Sequence, residues 1–366
     1  MEVELTQENL ARALNLVGRV AGTRATLPVL SNILIKTSNQ QLGLAATNLE
    51  IGVTHLASAK ITKPGSITVP ARLMVEFINS LPPSNVSIGT DGQKLLIKAG
   101  QFQSTINGVA SEEFPAIPEV KNGRGLQLPA GELKAALAQV IFAASGDETR
   151  PVLTACYLHA HNGALYLVAT DSYRLAERRL MKLGKNDPQP ELLIPARSLA
   201  ELLRIIDDSQ ETVELAWDDA QAELRYGQTT LVSRLIDGKY PSYRDLIPKK
   251  GEIGFSIARD ELLRITKVAS LFARESAGGI TLTIDEGQKE VRIHSVASQI
   301  GENTSAASAE VQGGGEVTLN SRYLIEALGA INASEVTFTA SGKVNPCVLS
   351  AKDEPDYLHV IMPLRS

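Results

Sequence analysis

Residues 67–81 (ITVPARLMVEFINSL), 192–206 (LLIPARSLAELLRII) and 317–331 (VTLNSRYLIEALGAI) decide how this chain folds. Each reads as a strand, a tight turn that carries an arginine, and an amphipathic helix. The arginines are Arg72, Arg197 and Arg322, each 125 residues after the one before. The apolar positions keep the same phase: Met74, Phe77, Ile78 and Leu81, then Leu199, Leu202, Leu203 and Ile206, then Leu324, Ala327, Leu328 and Ile331. Spacing of i, i+3, i+4, i+7 is one face of an α-helix. Equal intervals and equal phase make this a three-fold internal repeat.

Working outward, each copy opens with another amphipathic helix, at residues 6–22, 129–145 and 258–274. Thr6 is placed to cap the first of them, and Glu8 suits the positive end of its dipole. Their apolar faces are Leu10, Ala13, Leu14 and Val17; Leu133, Ala136, Leu137 and Val140; and Leu262, Ile265 and Ala269. Their outer faces carry Arg12 and Arg19, Lys134, and Arg264 and Lys267. Between and after the helices run alternating apolar stretches with turn signals at Asp91-Gly92, His161-Asn162-Gly163, Asp218-Asp219 and Asp285-Glu286-Gly287. These read as antiparallel hairpins. Residues 112–125 and 239–252 mix Pro, Gly and charge and read as linkers. The expected organisation is three α+β domains, 1–120, 121–250 and 251–366, each with two helices on antiparallel sheets.

Composition narrows the function. Of 366 residues, 43% are hydrophobic and 21% charged, ordinary globular values. No run is long and apolar enough for a membrane span, and the polar start MEVELTQENL is unlike a secretory signal. Cys156 and Cys347 fit a reducing cytoplasm. A net charge of −5 argues against gripping nucleic acid with the whole surface. It leaves room for positive charge gathered on one face. Arg72, Arg197 and Arg322 stand at helix starts, where a cation opposes the dipole but where phosphate is attracted. They read either as a phosphate-facing surface or as surface arginines paired with nearby carboxylates.

Nothing points to catalysis. His159 and His161 share a strand face without a third metal ligand near in sequence. Ser172, beside Asp171, lacks an identifiable base or oxyanion partner. No phosphate-binding glycine loop is present. Glu112-Glu113 and Asp218-Asp219 read as turns, and Trp217 as strand packing.

With RATLPVLSNILI from Arg24, VATDSYRLAE from Val168, DGKYPSYRDLIP from Asp237 and the closing HVIMPLRS, the chain resembles over its whole length the bacterial sliding clamps, the β subunits of DNA polymerase III. The resemblance implies the DNA clamp fold, with two chains head to tail in a ring of six domains, helices lining the hole. It implies a processivity factor that encircles double-stranded DNA and slides, with no active site, no cofactor and no membrane. A clamp loader opens the ring; the replicative polymerase, the loader and repair proteins bind through a short linear peptide. Carried over by position, the peptide groove is Leu153, Thr170, Ser172, Tyr173, Arg174, Leu175, Pro241, Leu246, Val360 and Met362. Arg150, Val344, Pro346, Pro363 and Leu364 form its neighbouring part. An apolar slot with polar edges suits one or two apolar anchors. By residue chemistry alone, Leu153, Leu175 and Val360 read as ordinary core. For DNA the resemblance gives Arg24, Arg72 and Arg197, and the repeat extends this to Arg322. For the ring joint it gives Ile106, Leu271 and Phe272, which also read as core. Pro151, Val152, Tyr173 and Asp245 depart from residues that other members carry, which bears on peptide preference. Against the clamp stand two alternatives, an enzyme built around Ser172 and a peptide-binding adaptor unrelated to DNA.

Overall fold

The computed structural model describes residues 1–22, 27–38, 40–121, 123–207, 209–248, 251–299 and 301–364. Among them are six α-helices: α1 (Gln7–Val17), α2 (Ala71–Ser80), α3 (Ala130–Val140), α4 (Ala196–Ile205), α5 (Arg259–Ser270) and α6 (Ser321–Ala330). The cassette helices α2, α4 and α6 begin at 71, 196 and 321, so the interval of the arginines is also that of the helices. Each follows directly on a strand, Ser66–Pro70, Glu191–Pro195 or Gly315–Asn320. Asn320 caps α6 by accepting the N–H of Arg322 at 2.9 Å and of Tyr323 at 3.4 Å. Thr6 caps α1 as its sequence position suggests, accepting the N–H of Asn9 at 3.3 Å. The apolar stripe of α1 is wholly buried, with Leu10, Ala13, Leu14 and Val17 all at 0% exposure. Each such leucine contributes roughly 1.5–3 kcal/mol over an exposed position.

The residues fall into two compact units, one of residues 1–131 and 201–235, the other of 132–200 and 236–366. The first holds a five-stranded and an eight-stranded sheet. The five strands lie in the order Lys60–Lys63, Glu2–Thr6, Asn85–Asp91, Lys94–Ala99, Phe102–Asn107. The eight are Arg124–Pro129, Thr212–Trp217, Gln221–Tyr226, Thr229–Arg234, Ile51–Ser58, Gln41–Thr47, Asn32–Ser38 and Ser66–Pro70. Strand Thr229–Arg234, from the second copy of the repeat, zips to Ile51–Ser58, from the first, with Leu231 opposite Val53. One sheet thus runs through two copies.

The second unit repeats the device. Its nine-stranded sheet orders Glu191–Pro195, Ala155–His161, Ala164–Thr170, Arg174–Lys182, Tyr357–Ile361, Cys347–Ser350, Glu335–Ala340, Ile253–Ala258 and Glu310–Gln312. Here Arg174–Lys182 of the second copy pairs with Tyr357–Ile361 of the third, Leu175 opposite Val360. A four-stranded sheet follows the order Gly301–Ser308, Glu290–Ala297, Gly279–Asp285, Gly315–Asn320. The strands on either side of the four turn signals pair antiparallel, as hairpins should. Asn162 and Gly163 both take left-handed φ, 48° and 72°, the two-residue turn that suits strand twist. The turn expected at Asp285-Glu286-Gly287 runs further, the strands breaking at Asp285 and resuming at Glu290, with the left-handed position taken by Lys289 at φ 52°.

Candidate partner groove and cation-bearing helices

The residues assigned to the groove all lie within the second unit, and several are in direct register. The turn after strand Ala164–Thr170 is built by its own side chains. Thr170 Oγ1 donates to the carbonyl of Arg174 at 2.6 Å and accepts the N–H of Ser172 at 3.1 Å. Asp171 Oδ1 accepts the N–H of Tyr173 at 2.9 Å and of Arg174 at 3.0 Å. These bonds hold Ser172 at φ 80°, rare for a residue with a Cβ, and leave Tyr173 59% exposed. Ser172 Oγ accepts from Arg150 Nη1 at 3.1 Å, which ties the neighbouring part of the groove to this turn. The N–H of Met362 donates to the carbonyl of Tyr173 at 2.8 Å and brings the end of the chain alongside.

Below the turn, Leu175 and Val360 are buried and belong to one cluster with Ala155, Val168, Leu193, Tyr240 and Tyr243. Leu153 is buried as well, at 8% exposure. These residues are core and floor at once. Pro241 precedes, and Leu246, 58% exposed, ends the short turn Tyr243–Leu246 that sends Tyr243 into the cluster. Pro346 precedes Cys347, which pairs with Ile361, and Val344 stands 66% exposed two residues earlier. Leu364 is fixed by its N–H on the carbonyl of Thr318 at 2.8 Å, and Met362, Pro363 and Leu364 are all half-buried. The result is an apolar floor edged by one exposed tyrosine and by exposed aliphatics.

Arg174 is the unexpected member. Its guanidinium is 6% exposed, yet it is fully engaged. Nε donates to Asp171 Oδ2 at 3.0 Å, Nη2 to the carbonyl of Phe142 at 2.7 Å, and Nη1 to Glu326 Oε2. It lies 4.6 Å from the ring centre of Tyr323 and 5.3 Å from that of Phe142. Burial of an arginine is tolerable only with such a set of partners. Burial pushes the Glu326 carboxyl up, but the hydrogen bonds from Arg322 and Arg174 outweigh it and hold the group below its ordinary value.

Two buried histidines stand close by. Burial, reinforced by the nearby Arg174 charge, pulls His359 down to about 3, and burial pulls His159 down to about 4. Tyr243 donates to Glu177, and His159 Nε2 lies 2.8 Å from the Tyr243 hydroxyl. Among the described residues no group of three or more His, Cys, Asp or Glu is arranged to hold a metal ion. Both cysteines are buried, and burial pushes each thiol up to about 12, which keeps them inert.

The helix arginines prove to be part of a longer pattern. Arg72 Nε bonds Glu76 at 2.8 Å on α2, and Arg322 Nε bonds Glu326 at 2.9 Å on α6. Both guanidinium groups remain open to solvent, at 88% and 76% side-chain exposure. Arg197 is exposed too, and Glu201 follows it at the same spacing. The i, i+4 carboxylates Glu76, Glu201 and Glu326 recur in the repeat as R-x-x-x-E, a signal that the cations alone do not carry. Arg24 lies outside the described residues. Of the residues assigned to the ring joint, Ile106 is 5% exposed within the edge strand Phe102–Asn107, Leu271 is 55% exposed and Phe272 is half-buried.

Comparison with known proteins agrees with this architecture. Three family models described as the N-terminal, central and C-terminal domains of the DNA polymerase III beta subunit match residues 1–118, 127–242 and 244–365. A beta sliding clamp of Staphylococcus epidermidis is 31% identical, with 100% of both chains covered, and one of Synechococcus elongatus is 31% identical over 100% of this chain and 99% of its own. Among solved structures, the DNA polymerase sliding clamp from Bacillus subtilis superposes with a TM-score of 0.94 at 27% identity, covering 100% of this chain and 99% of that one. A sliding clamp from Pseudomonas aeruginosa bound to griselimycin gives 0.94 at 28% identity, with 100% of both chains covered. Three repeated copies, each read as two helices on shared antiparallel sheets and each matched by its own domain model, place the chain in one family: it belongs to the DNA polymerase III beta subunits, the beta sliding clamps.

Proposed function

We propose that two copies of this chain close head to tail into a ring around duplex DNA and tether the replicative polymerase as a processivity factor. The observation that carries the ring is the way the sheets end. Each copy of the repeat hands its sheet to the next through an antiparallel seam, Thr229–Arg234 on Ile51–Ser58 and Arg174–Lys182 on Tyr357–Ile361. The five-stranded and four-stranded sheets instead stop at Phe102–Asn107 and Gly301–Ser308, as edge strands. Such edges invite pairing with another chain. Apolar groups surround them: Phe102 on one, and Val268, Leu271 and Val296 on the elements packed beside the other, each at least 40% exposed. The two edges are different surfaces, so joining them is a heterologous contact, which closes when two chains complete a circle.

The domain boundaries are 1–120, 121–250 and 251–366. Arg72, Arg197 and Arg322 face the duplex, and Arg24 joins them as a DNA-binding residue on the family resemblance. Sliding needs weak phosphate contact, since the link is topological; each neutralised phosphate adds a salt slope of roughly −0.9. The groove of the second unit takes a short linear peptide from the polymerase, the clamp loader and repair proteins. The protein carries no chemistry of its own, needs no cofactor, and works in the cytoplasm where the chromosome is replicated. Light scattering checks the ring, with a mass twice the 39.2 kDa of one chain expected. Loading onto nicked circular DNA followed by linearisation checks the function. The clamp stays on the circle and runs off the linear form; equal retention on both would remove topological binding.

A further inference from the structure

One carboxylate is shared between a solvent-facing arginine and a buried one. Glu326 stands one helical turn beyond Arg322 on α6 and accepts from it through Oε1 at 2.9 Å. Its Oε2 takes Nη1 of Arg174. Side-chain exposure falls along this line, from 76% at Arg322 through 30% at Glu326 to 6% at Arg174. From Arg174 the line continues to Asp171 at 3.0 Å, and Asp171 holds the backbone N–H of Tyr173 at 2.9 Å. A continuous run of charge-assisted hydrogen bonds therefore joins the outer arginine of α6 to the turn that presents Ser172 and Tyr173.

The fold does not require this run. The first copy contains the same turn, Thr47 to Ile51, with Asn48 accepting the N–H of Glu50 at 3.0 Å and of Ile51 at 2.9 Å, and Leu49 at φ 75°. At the place of Arg174 it carries Ile51, buried at 4% exposure. An aliphatic side chain satisfies that position without any partner, whereas a buried guanidinium demands several. On α2 the matching pair Arg72 and Glu76 is exposed on both sides, at 88% and 63%. Among the described residues the α6 pair is continued inward by Arg174, whereas on α4, one copy beyond the first turn as α6 is one copy beyond the second, Glu201 bonds Arg204 of its own helix.

We infer that Glu326 is a positioning residue that couples occupancy of Arg322 by a DNA phosphate to peptide binding in the groove. A phosphate that takes Arg322 leaves the Glu326 carboxylate wholly to Arg174. Arg174 is then held more firmly against Asp171, Tyr323 and the Phe142 carbonyl, and the Tyr173 turn is fixed in the form seen here. Coupling between sites is reciprocal, so peptide binding strengthens the phosphate contact by the same factor. The inference rests on the clamp reading above.

The test measures the affinity of a fluorescent polymerase-tail peptide for the full-length protein, free and loaded on closed circular DNA. The expected result is about five-fold tighter binding to the loaded form, at the low end of measured couplings. In Glu326→Gln and, separately, in Arg322→Gln, the ratio of the two affinities falls to one. A purely structural role for Glu326 would weaken both affinities together and keep their ratio, which would overturn the inference. Equal affinities in the unsubstituted protein would overturn it too. The Arg322 side chain is 76% exposed and its substitution removes one hydrogen bond to Glu326 while leaving the buried Arg174 contact in place, so Arg322→Gln answers even if Glu326→Gln folds poorly. Retention on the circle is scored independently: a protein that never stays on circular DNA refutes the clamp, whereas one that stays and shows no ratio refutes only the coupling.

Discussion

The first copy's turn from Thr47 to Ile51 and the second copy's turn from Thr170 to Arg174 share a skeleton and differ in chemistry. In both, the threonine hydroxyl bonds the carbonyl four residues on, at 2.8 and 2.6 Å. In both, an Asn or Asp side chain gathers two backbone N–H groups, and the next strand enters a seam with the following copy. The N–H of Arg234 bonds the carbonyl of Glu50 at 2.9 Å, as that of Met362 bonds Tyr173 at 2.8 Å. The side chains part company. Glu50 and Arg234 stand where the second turn has Tyr173 and Met362, and Gly52 where it has Leu175. The space over Gly52 is filled by the linker: a Cβ added there would lie 2.7 Å from Ile117 Cγ2. The seam is a property of the fold, and the groove is a property of a few side chains placed on it. One junction is closed by its own linker under a charged rim, and the other keeps an apolar floor with an aromatic edge.

Removing residues 362–366 should erase the difference most completely. Peptide affinity is expected to fall roughly 30-fold or more, the scale of losing a central anchor. The mass by light scattering should remain that of two chains, because the joint residues lie elsewhere. Normal peptide binding by this variant would refute the groove assignment.

Arg174→Ala is next. It leaves Asp171 without its cation and breaks one of the two bonds to Glu326, at a cost of about 3–5 kcal/mol read from urea unfolding. The pair Asp171→Asn with Arg174→Ile copies the first junction and should recover more than half of that stability while leaving peptide binding lost. Equal destabilisation by both variants would show that the arginine is not the source of the cost. In the other direction, Gly52→Leu imports the second junction's residue into the first. It collides with Ile117 and is expected to cost about 1–3 kcal/mol, without creating a peptide site.

Acid separates the two junctions more gently. His359 and His159 have folded values of about 3 and 4, below the ordinary 6.5 that the unfolded chain regains. The unfolded state therefore takes up protons first as pH drops. Their neutral burial stabilises fully above pH 6.5, and that contribution is lost as pH falls from 6.5 toward 4 for His159 and toward 3 for His359. Each costs about 1.4 kcal/mol per pH unit in that window. His359→Phe should reduce the slope of unfolding free energy against pH; an unchanged slope would exclude His359 as a source. The smallest effect is expected from Arg72→Gln, whose pair with Glu76 lies in solvent. Melting should not change, while the salt slope of direct DNA binding should shrink by about one unit.

The sequence was legible where physics is local. The helix stripes, the Thr6 cap and the Asn162-Gly163 turn follow from periodicity and side-chain reach, and the repeat interval located α2, α4 and α6. The seams were not legible, because pairing of Leu231 with Val53 depends on which strand edge is free in three dimensions. Tyr173 and Met362 came from the family likeness; apolar residues such as Leu175 and Val360 look like core because they are core. Arg174 could be placed in the groove from that likeness, but not its partner Glu326, which lies 152 residues away.

Because the sheets run on from copy to copy, the peptide backbone between copies is not what keeps them together. Nicking the chain within residues 112–125 would sever a covalent link yet leave the whole ladder from Ile51 to His55 fastened to Thr229 through Ser233. The middle third, expressed by itself, would meet water along two strand flanks that normally have neighbours. It is therefore expected to aggregate, while a protease-cut intact protein is expected to elute as one particle.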